Sequence, residues 1–485
     1  MANKLAQMQA AEPDAGWETV DQVVKAFQEN GLNPIEHYVL FGVNENLSYS
    51  PVMPEPPVTD ELTTARDVLN LGAGDQIIGG VASALSAEKT LNENDLIDGG
   101  EGNDTLRVTL DANFNGFTVT DDPNTTGGMK NVENVELTNN GSITRTFSAK
   151  GSEGVTTYTL HAGEAGTGVI NLKDLSAAGV TVNVDGLQKG TTDVQFASGA
   201  LTGDNDSMTF GLNNVGAAAA SATADPTYVG LSAGTGLESV TINASGTNYA
   251  DLSKLDAPSV AVTGAGSLDV SAVNAKLTSF DASAATGNVS ADLTAATMQT
   301  VKGGAGDDTF TVTKLAVDAT LEGGAGNDTL IISGSTGGAL QPTMSGFETI
   351  GIKDNSGKIT LSAKNAQDFT ALQLENAANT VTVAGLTASA FTVNSIVNSD
   401  GKTATTNDAL LADAADLTVN VTTTATEATQ EITSKINAAA ATNAVVNVGA
   451  NVTEKGTLDF GAAQSVQLNV ASNKVNDAEL TSFDG

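Results

Sequence analysis

A mainly β fold, a parallel β-roll or β-helix solenoid preceded by a small α-helical N-terminal domain, is predicted by three observations. Short runs alternate apolar residues with Thr, Asn or Gln. Glycine-rich nonapeptides recur. The first fifty residues follow a helical period instead.

The alternation is clearest at 180–184 (VTVNV), 239–243 (SVTIN), 417–421 (LTVNV), 445–448 (VVNV) and 466–470 (VQLNV). Period two with one apolar face is the pattern of a half-buried strand. Composition agrees: 51 glycines, 4% aromatic and 16% charged residues describe short strands joined by tight turns. One stretch, 427–441, reads instead as a helix through Ile432, Ile436 and its alanines.

At the N-terminus, Trp17, Val20, Val23, Val24 and Phe27 recur at helical spacing, and Asn30-Gly31 supplies a stop. Asn33-Pro34 opens a second helix carrying Ile35, Tyr38 and Phe41 inward and ending at Gly42. Residues 51–58 hold four of the ten prolines and read as a linker. The expected organisation is a helical domain at 1–50, the linker, a first solenoid module at 59–230, a second at 231–455, and the start of a further repeat at 456–485.

Repeats support that division. Met129-Lys130-Asn131-Val132-Glu133 matches Met344-Ser345-Gly346-Phe347-Glu348, and each follows a Gly-Gly-x-Gly-Asn-Asp-Thr-Leu segment. Leu277-Thr278-Ser279-Phe280-Asp281 recurs at 480–484. The second copy reads as the opening of another repeat, so the chain is expected to be part of a longer protein.

Three segments fit one nonapeptide, G-G-x-G-x-D-x-U-x: 99–107, 303–311 and 323–331. Its glycines (Gly100, Gly102, Gly304, Gly306, Gly324 and Gly326) allow tight turns whose carbonyl oxygens converge. The aspartate at position six (Asp104, Asp308, Asp328) adds a carboxylate, a donor set suited to Ca2+. The apolar residue at position eight is expected to enter the core. Counting outward in nines places Asp67 and Asp95 at position six of 62–70 and 90–98. Gln76 takes that place in 71–79 with Asp75 beside it, and Ala319 takes it in 314–322. Two coils, 62–79 and 90–107, should stack, and Asp308 should stack on Asp328.

These motifs resemble the repeats-in-toxin (RTX) calcium-binding family, and the wider pattern resembles proteobacterial surface-layer (S-layer) proteins exported by type I secretion. The resemblance is most specific at 62–110 and 299–332. It implies a chain that stays unfolded in calcium-poor cytosol and folds outside the cell on binding Ca2+. That would explain the absence of cysteine and of a basic-then-apolar leader in Met1 to Asp14. The apolar C-terminal signal of the family is not found at 476–485. Residues 33–45 (NPIEHYVLFGVNE) resemble a short helical module of the family, with Asn46-Leu47 where the family carries Gly-Arg. The N-terminal region of related S-layer proteins anchors to lipopolysaccharide, so residues 1–50 are expected to anchor the chain or cap the solenoid.

Other chemistry is poorly supported. The net charge of −36 repels nucleic acid and anionic lipid. No apolar run reaches the roughly 18 residues of a membrane span. The two histidines, His37 and His161, form no H-E-x-x-H. The expectation is therefore a non-enzymatic, self-associating surface protein. The alternatives are a calcium-stiffened adhesin or the non-catalytic part of a larger secreted enzyme.

Overall fold

The computed structural model describes residues 60–471, 479 and 480, except 222–223, 336, 340–342, 367, 387–389, 398–404, 412, 424–429, 451 and 455. The two predicted N-terminal helices and the proline-rich linker lie outside the described residues.

Strand follows strand, and most pair with the next but one in sequence. Asp60–Glu61, Ile77–Ala82, Thr105–Leu110, Asn134–Thr138 and Thr157–His161 begin a 13-stranded sheet that ends at Thr343–Ser345. The intervening strands build the other face. Val68–Asn70, Leu96–Asp98 and Gly128–Lys130 come first, then a 15-stranded sheet from Arg145–Ser148 to Ser465–Val470. From Gly338–Ala339 onward an 8-stranded sheet lies on the remaining alternate strands. Pairing is parallel along the length. This is a parallel β-solenoid. Parallel neighbours need a long crossover, and here the crossover of each coil is the strand on the opposite face. The one helical segment among the described residues is the 3-10 turn Ala363–Asn365.

Period-two alternation sets which side chains enter the core. In Thr105–Leu110, Leu106, Val108 and Leu110 are buried while the residues between them are partly exposed. Phenylalanines stack from coil to coil along the axis: Phe280, Phe310 and Phe347 have centroids 5.9 and 6.4 Å apart. Because each coil touches only its neighbours, stability is close to a sum of coil and interface contributions. Outward positions also form rows. Asn420 donates to Asn394 at 2.9 Å, Asn447 to Asn420 at 2.8 Å and Asn469 to Asn447 at 2.8 Å.

The helix expected over 427–441 is not formed. Gln430–Asn437 is a strand in parallel register with Thr405–Leu411. Isoleucines four residues apart satisfy a helical period and two periods of alternation equally well. Ser434 between them, also buried, shares a hydrogen bond of 2.9 Å with Ser395 Oγ, and this supports the alternating reading. The repeat-based boundary at 230/231 coincides with no gap in the first face, where Ser207–Asn213 pairs with Ser239–Ser245 in unbroken register.

Candidate metal centre

Each glycine-rich nonapeptide forms half a coil: a turn, then the start of a strand. Residues 99–104 link Leu96–Asp98 to Thr105–Leu110, and 71–76 link Val68–Asn70 to Ile77–Ala82 on the coil before. The two turns stack through Leu71 N–H to Asp98 O at 2.9 Å and Gly74 N–H to Glu101 O at 2.7 Å. The coils 62–79 and 90–107 therefore lie together as their spacing predicted. The apolar residues at position eight, Ile78, Ile97, Leu106, Phe310, Leu321 and Leu330, are all buried, and Leu69 is partly buried.

The aspartates at position six form a ladder. In each step, the backbone N–H of one coil donates to the carboxylate of the next coil. Val289 N–H donates to Asp308 Oδ1 at 2.7 Å, Asp308 N–H to Asp328 Oδ1 at 2.8 Å, and Asp328 N–H to Glu348 Oε2 at 2.7 Å. The first cluster repeats the pattern with Gln76 N–H to Asp104 Oδ1 at 2.8 Å and Asp104 N–H to Glu133 Oε2 at 2.8 Å. An outer ladder at position five runs the opposite way. There Asn327 N–H donates to Asp307 Oδ1 at 2.9 Å, and Asn103 N–H to Asp75 Oδ1 at 2.9 Å.

The position-six aspartates are not equivalent. Asp308 has both carboxylate oxygens occupied, because Oδ2 accepts Gly304 N–H at 2.7 Å. Asp95 is also fully used, by Asp67 N–H at 2.9 Å and Asn92 N–H at 2.7 Å. Asp104 Oδ2 and Asp328 Oδ2 are buried without a hydrogen-bond partner. Leaving such an oxygen unmatched is costly, so these two atoms mark where a cation would add most.

Backbone oxygen approaches both aspartates. A methyl group on Gly99 would strike the carbonyl oxygen of Asn131 and stand 2.7 Å from Asp104 Oδ2. One on Gly323 would strike the Gly346 carbonyl and stand 2.8 Å from Asp328 Cβ. Asn131 and Gly346 occupy the same place in the two Met-x-x-U-Glu phrases and share a left-handed backbone, with φ of 53° and 65°. The phrase thus closes the turn stack, contributing a carbonyl from its third residue and a carboxylate from Glu133 or Glu348. The repetition is plain in the sequence, but its role depends on a contact 20 residues or more away.

Glycine serves two purposes in these turns. Gly324 has φ of 110°, a conformation that suits glycine. Gly304 does not have positive φ, and is required because a side chain there would collide with the Ala285 carbonyl of the preceding coil. Gly100, Gly102 and Gly326 resemble Gly324, and Gly306 resembles Gly304.

The predicted residues fall into groups. Asp104 and Asp75 share one turn stack, and Asp308 and Asp328 share another. Asp67 and Asp95 stack on each other in turns that lead into Val68–Asn70 and Leu96–Asp98, on the opposite edge from Asp104. Ala319, at position six of 314–322, lies in strand Lys314–Glu322 rather than in a turn. Sequence reading missed a further turn, Gly203 to Asp206. Its Asp206 accepts Gly203 N–H at 2.9 Å and donates its own N–H to Glu238 Oε2 at 2.6 Å. It lacks the paired glycines, leaving only Gly-Asp-Asn-Asp-Ser-Met as a signal.

Burial raises the pKa of these carboxyls. Asp328 is pushed up to about 6 by desolvation first, then by the charges of Asp308, Glu348 and Asp307. Asp95 is pushed up to about 6, mainly by desolvation. Asp104 and Asp308 are raised by the same leading cause. Among the described residues, no three His, Cys, Asp or Glu side chains gather at a point that could hold a metal ion. A cation here would draw on backbone oxygens together with one or two carboxylates, a donor set that suits hard Ca2+.

No protein-family model matches the chain, and no curated protein matches it. Among the described residues no helix is long and apolar enough to cross a membrane.

Proposed function

We propose that this protein is a calcium-dependent structural protein of the bacterial surface, without catalytic activity. In this reading it folds outside the cell and self-assembles into a two-dimensional surface layer, attached through residues 1–50 to lipopolysaccharide. The observation that carries the calcium part is the pair of orphaned buried oxygens, Asp104 Oδ2 and Asp328 Oδ2, the first of them close to the Asn131 carbonyl of the next coil. Ca2+ would be held by Asp104 with the Asn131 carbonyl, and by Asp328 with the Gly346 carbonyl. Such sites bind at roughly 10⁻⁴ to 10⁻³ M in extracellular modules, so external calcium would fill them and cytosolic calcium would not. Binding free energy then becomes folding free energy.

The lattice and its anchoring rest on the family resemblance and on a repetitive, strand-rich chain. The test is light scattering with negative-stain microscopy of the purified chain, titrated with calcium against EGTA. Ordered sheets that grow with calcium support the whole reading. Calcium-dependent structure that stays monomeric removes the lattice and favours an adhesin. Absence of any response to calcium removes both.

A further inference from the structure

Aromatic side chains are scarce in this solenoid and most are internal: Phe114, Phe117, Phe147, Phe210, Phe280, Phe310, Phe347, Phe391 and Tyr158 are all buried. Tyr228 and Tyr249 face outward instead, side by side. Their ring centroids are 5.9 Å apart with planes at 79°. In strand Thr247–Leu255, Asn248, Ala250 and Leu252 are buried, which places Tyr249 on the outer surface. Register sets Asp269 beside Tyr249, then Ser290, Thr309, Thr329 and Thr349 in one row across successive strands.

A shallow groove of about 250 Å³ opens at this point, lined by Tyr249, Asp269, Asn288, Ser290 and Asp307. Its polar groups are held in place. Tyr228 Oη donates to Asp269 Oδ2 at 3.2 Å, and Asn288 Oδ1 accepts Asp307 N–H at 3.1 Å. We propose that this groove binds a neutral saccharide, with a sugar ring lying against Tyr249 and its hydroxyls on Asp269 and Ser290.

The chemistry selects that class. A tyrosine offers a rigid apolar face with little entropy lost on binding, and it meets the C–H face of a pyranose. A carboxylate and a hydroxyl on adjacent strands, about 4.8 Å apart, present acceptors and donors to neighbouring sugar hydroxyls. The lining has two carboxylates and no cation, in a chain of net charge −36, so phosphate, sulfate and uronate are repelled. The groove is too small for a drug-sized apolar ligand. Beyond Ser290 the row of threonine hydroxyls continues, so a longer glycan would run across the strands.

The inference does not rest on calcium or on lattice assembly. The test uses the full chain with calcium held constant, titrated calorimetrically with neutral pentasaccharides of glucose, mannose, galactose and N-acetylglucosamine and with an oligogalacturonate of the same length. Saturable binding of at least one neutral sugar is expected. It should weaken about tenfold or more in Tyr249→Ala, equivalent to about 1.4 kcal/mol, persist in Tyr249→Phe and weaken in Asp269→Asn. Circular dichroism verifies the fold of each variant. If Tyr249→Ala fails to fold, Asp269→Asn carries the test. Binding of no neutral sugar, equal binding of the anionic one, or binding untouched by these substitutions overturns the proposal.

Discussion

Replacing Asp328 by asparagine separates the two roles that its carboxylate would have. The side chain is buried, one oxygen accepts Asp308 N–H, and the other has no partner. Without a cation, an ionised carboxylate in this position is a cost to the fold. Its pKa rises from 3.8 to about 6, and at about 1.36 kcal/mol per tenfold change in proton affinity that cost reaches at most about 3 kcal/mol above pH 6. Asparagine keeps an acceptor for Asp308 N–H and carries no charge. In EGTA at pH 7.5, Asp328→Asn should therefore be more stable than the parent. In calcium the difference should shrink to near zero, since a site with Kd near 10⁻⁴ M adds about 2.7 kcal/mol to the parent at 10 mM Ca2+.

The pH dependence follows from the raised pKa. The cation-free folded chain holds this proton more tightly than the unfolded chain does. Its contribution to stability is complete below about pH 3.8 and is lost as pH rises to about 6. Calcium competes with that proton, so the stabilisation by calcium should be roughly halved at pH 5 and full at pH 7.5. Melting in calcium and in EGTA at both pH values, for parent and variant, reads all of these terms. A variant that is destabilised in EGTA and keeps the parent's full calcium response would refute the reasoning.

Two further substitutions test the surrounding architecture. Glu348→Ala removes the acceptor for Asp328 N–H and should lower stability by about 1–3 kcal/mol in EGTA. It should also weaken the calcium response, whereas Glu238→Ala should leave the response of the 303–328 turns unchanged; calorimetry of both variants compares them. Phe310→Ala opens a cavity between Phe280 and Phe347 and should cost roughly 3–5 kcal/mol in denaturant melts with or without calcium.

Much of the solenoid is legible because a coil is a local pattern. Position eight of the nonapeptide enters the core at Ile78, Ile97, Leu106, Phe310, Leu321 and Leu330, and Leu69 packs against it partly buried. Twenty-residue spacing places Asp308 against Asp328. Other features were not readable, each for a physical reason. Ile432 and Ile436 fit helix and strand equally, and the deciding partner, Thr405–Leu411, is remote in sequence. The difference between Asp308 and Asp328 is invisible in a shared motif, because it depends on whether a glycine N–H reaches the second oxygen: Gly304 reaches Asp308, while Asp328 Oδ2 has no partner. Glu133 and Glu348 stood out as repeated letters, but only stacking gives them the N–H groups of Asp104 and Asp328.

Charge is distributed unevenly along the solenoid, and this leads to a prediction about where calcium acts. At 303–348 the internal rows are carboxylates: Asp308, Asp328 and Glu348 follow one another, with Asp307 alongside. At 394–469 the long outward row on the sheet is neutral, made by Asn394, Asn420, Asn447 and Asn469. An asparagine ladder satisfies itself at any calcium concentration, whereas stacked carboxylates repel until a cation is bound. Because coils interact chiefly with their neighbours, the effect should remain local. Amide hydrogen exchange followed by mass spectrometry should show 303–350 gaining protection on addition of calcium, while 416–448 changes little. Uniform protection along both segments would mean that calcium acts on the chain as a whole, and would move the binding away from the stacked turns.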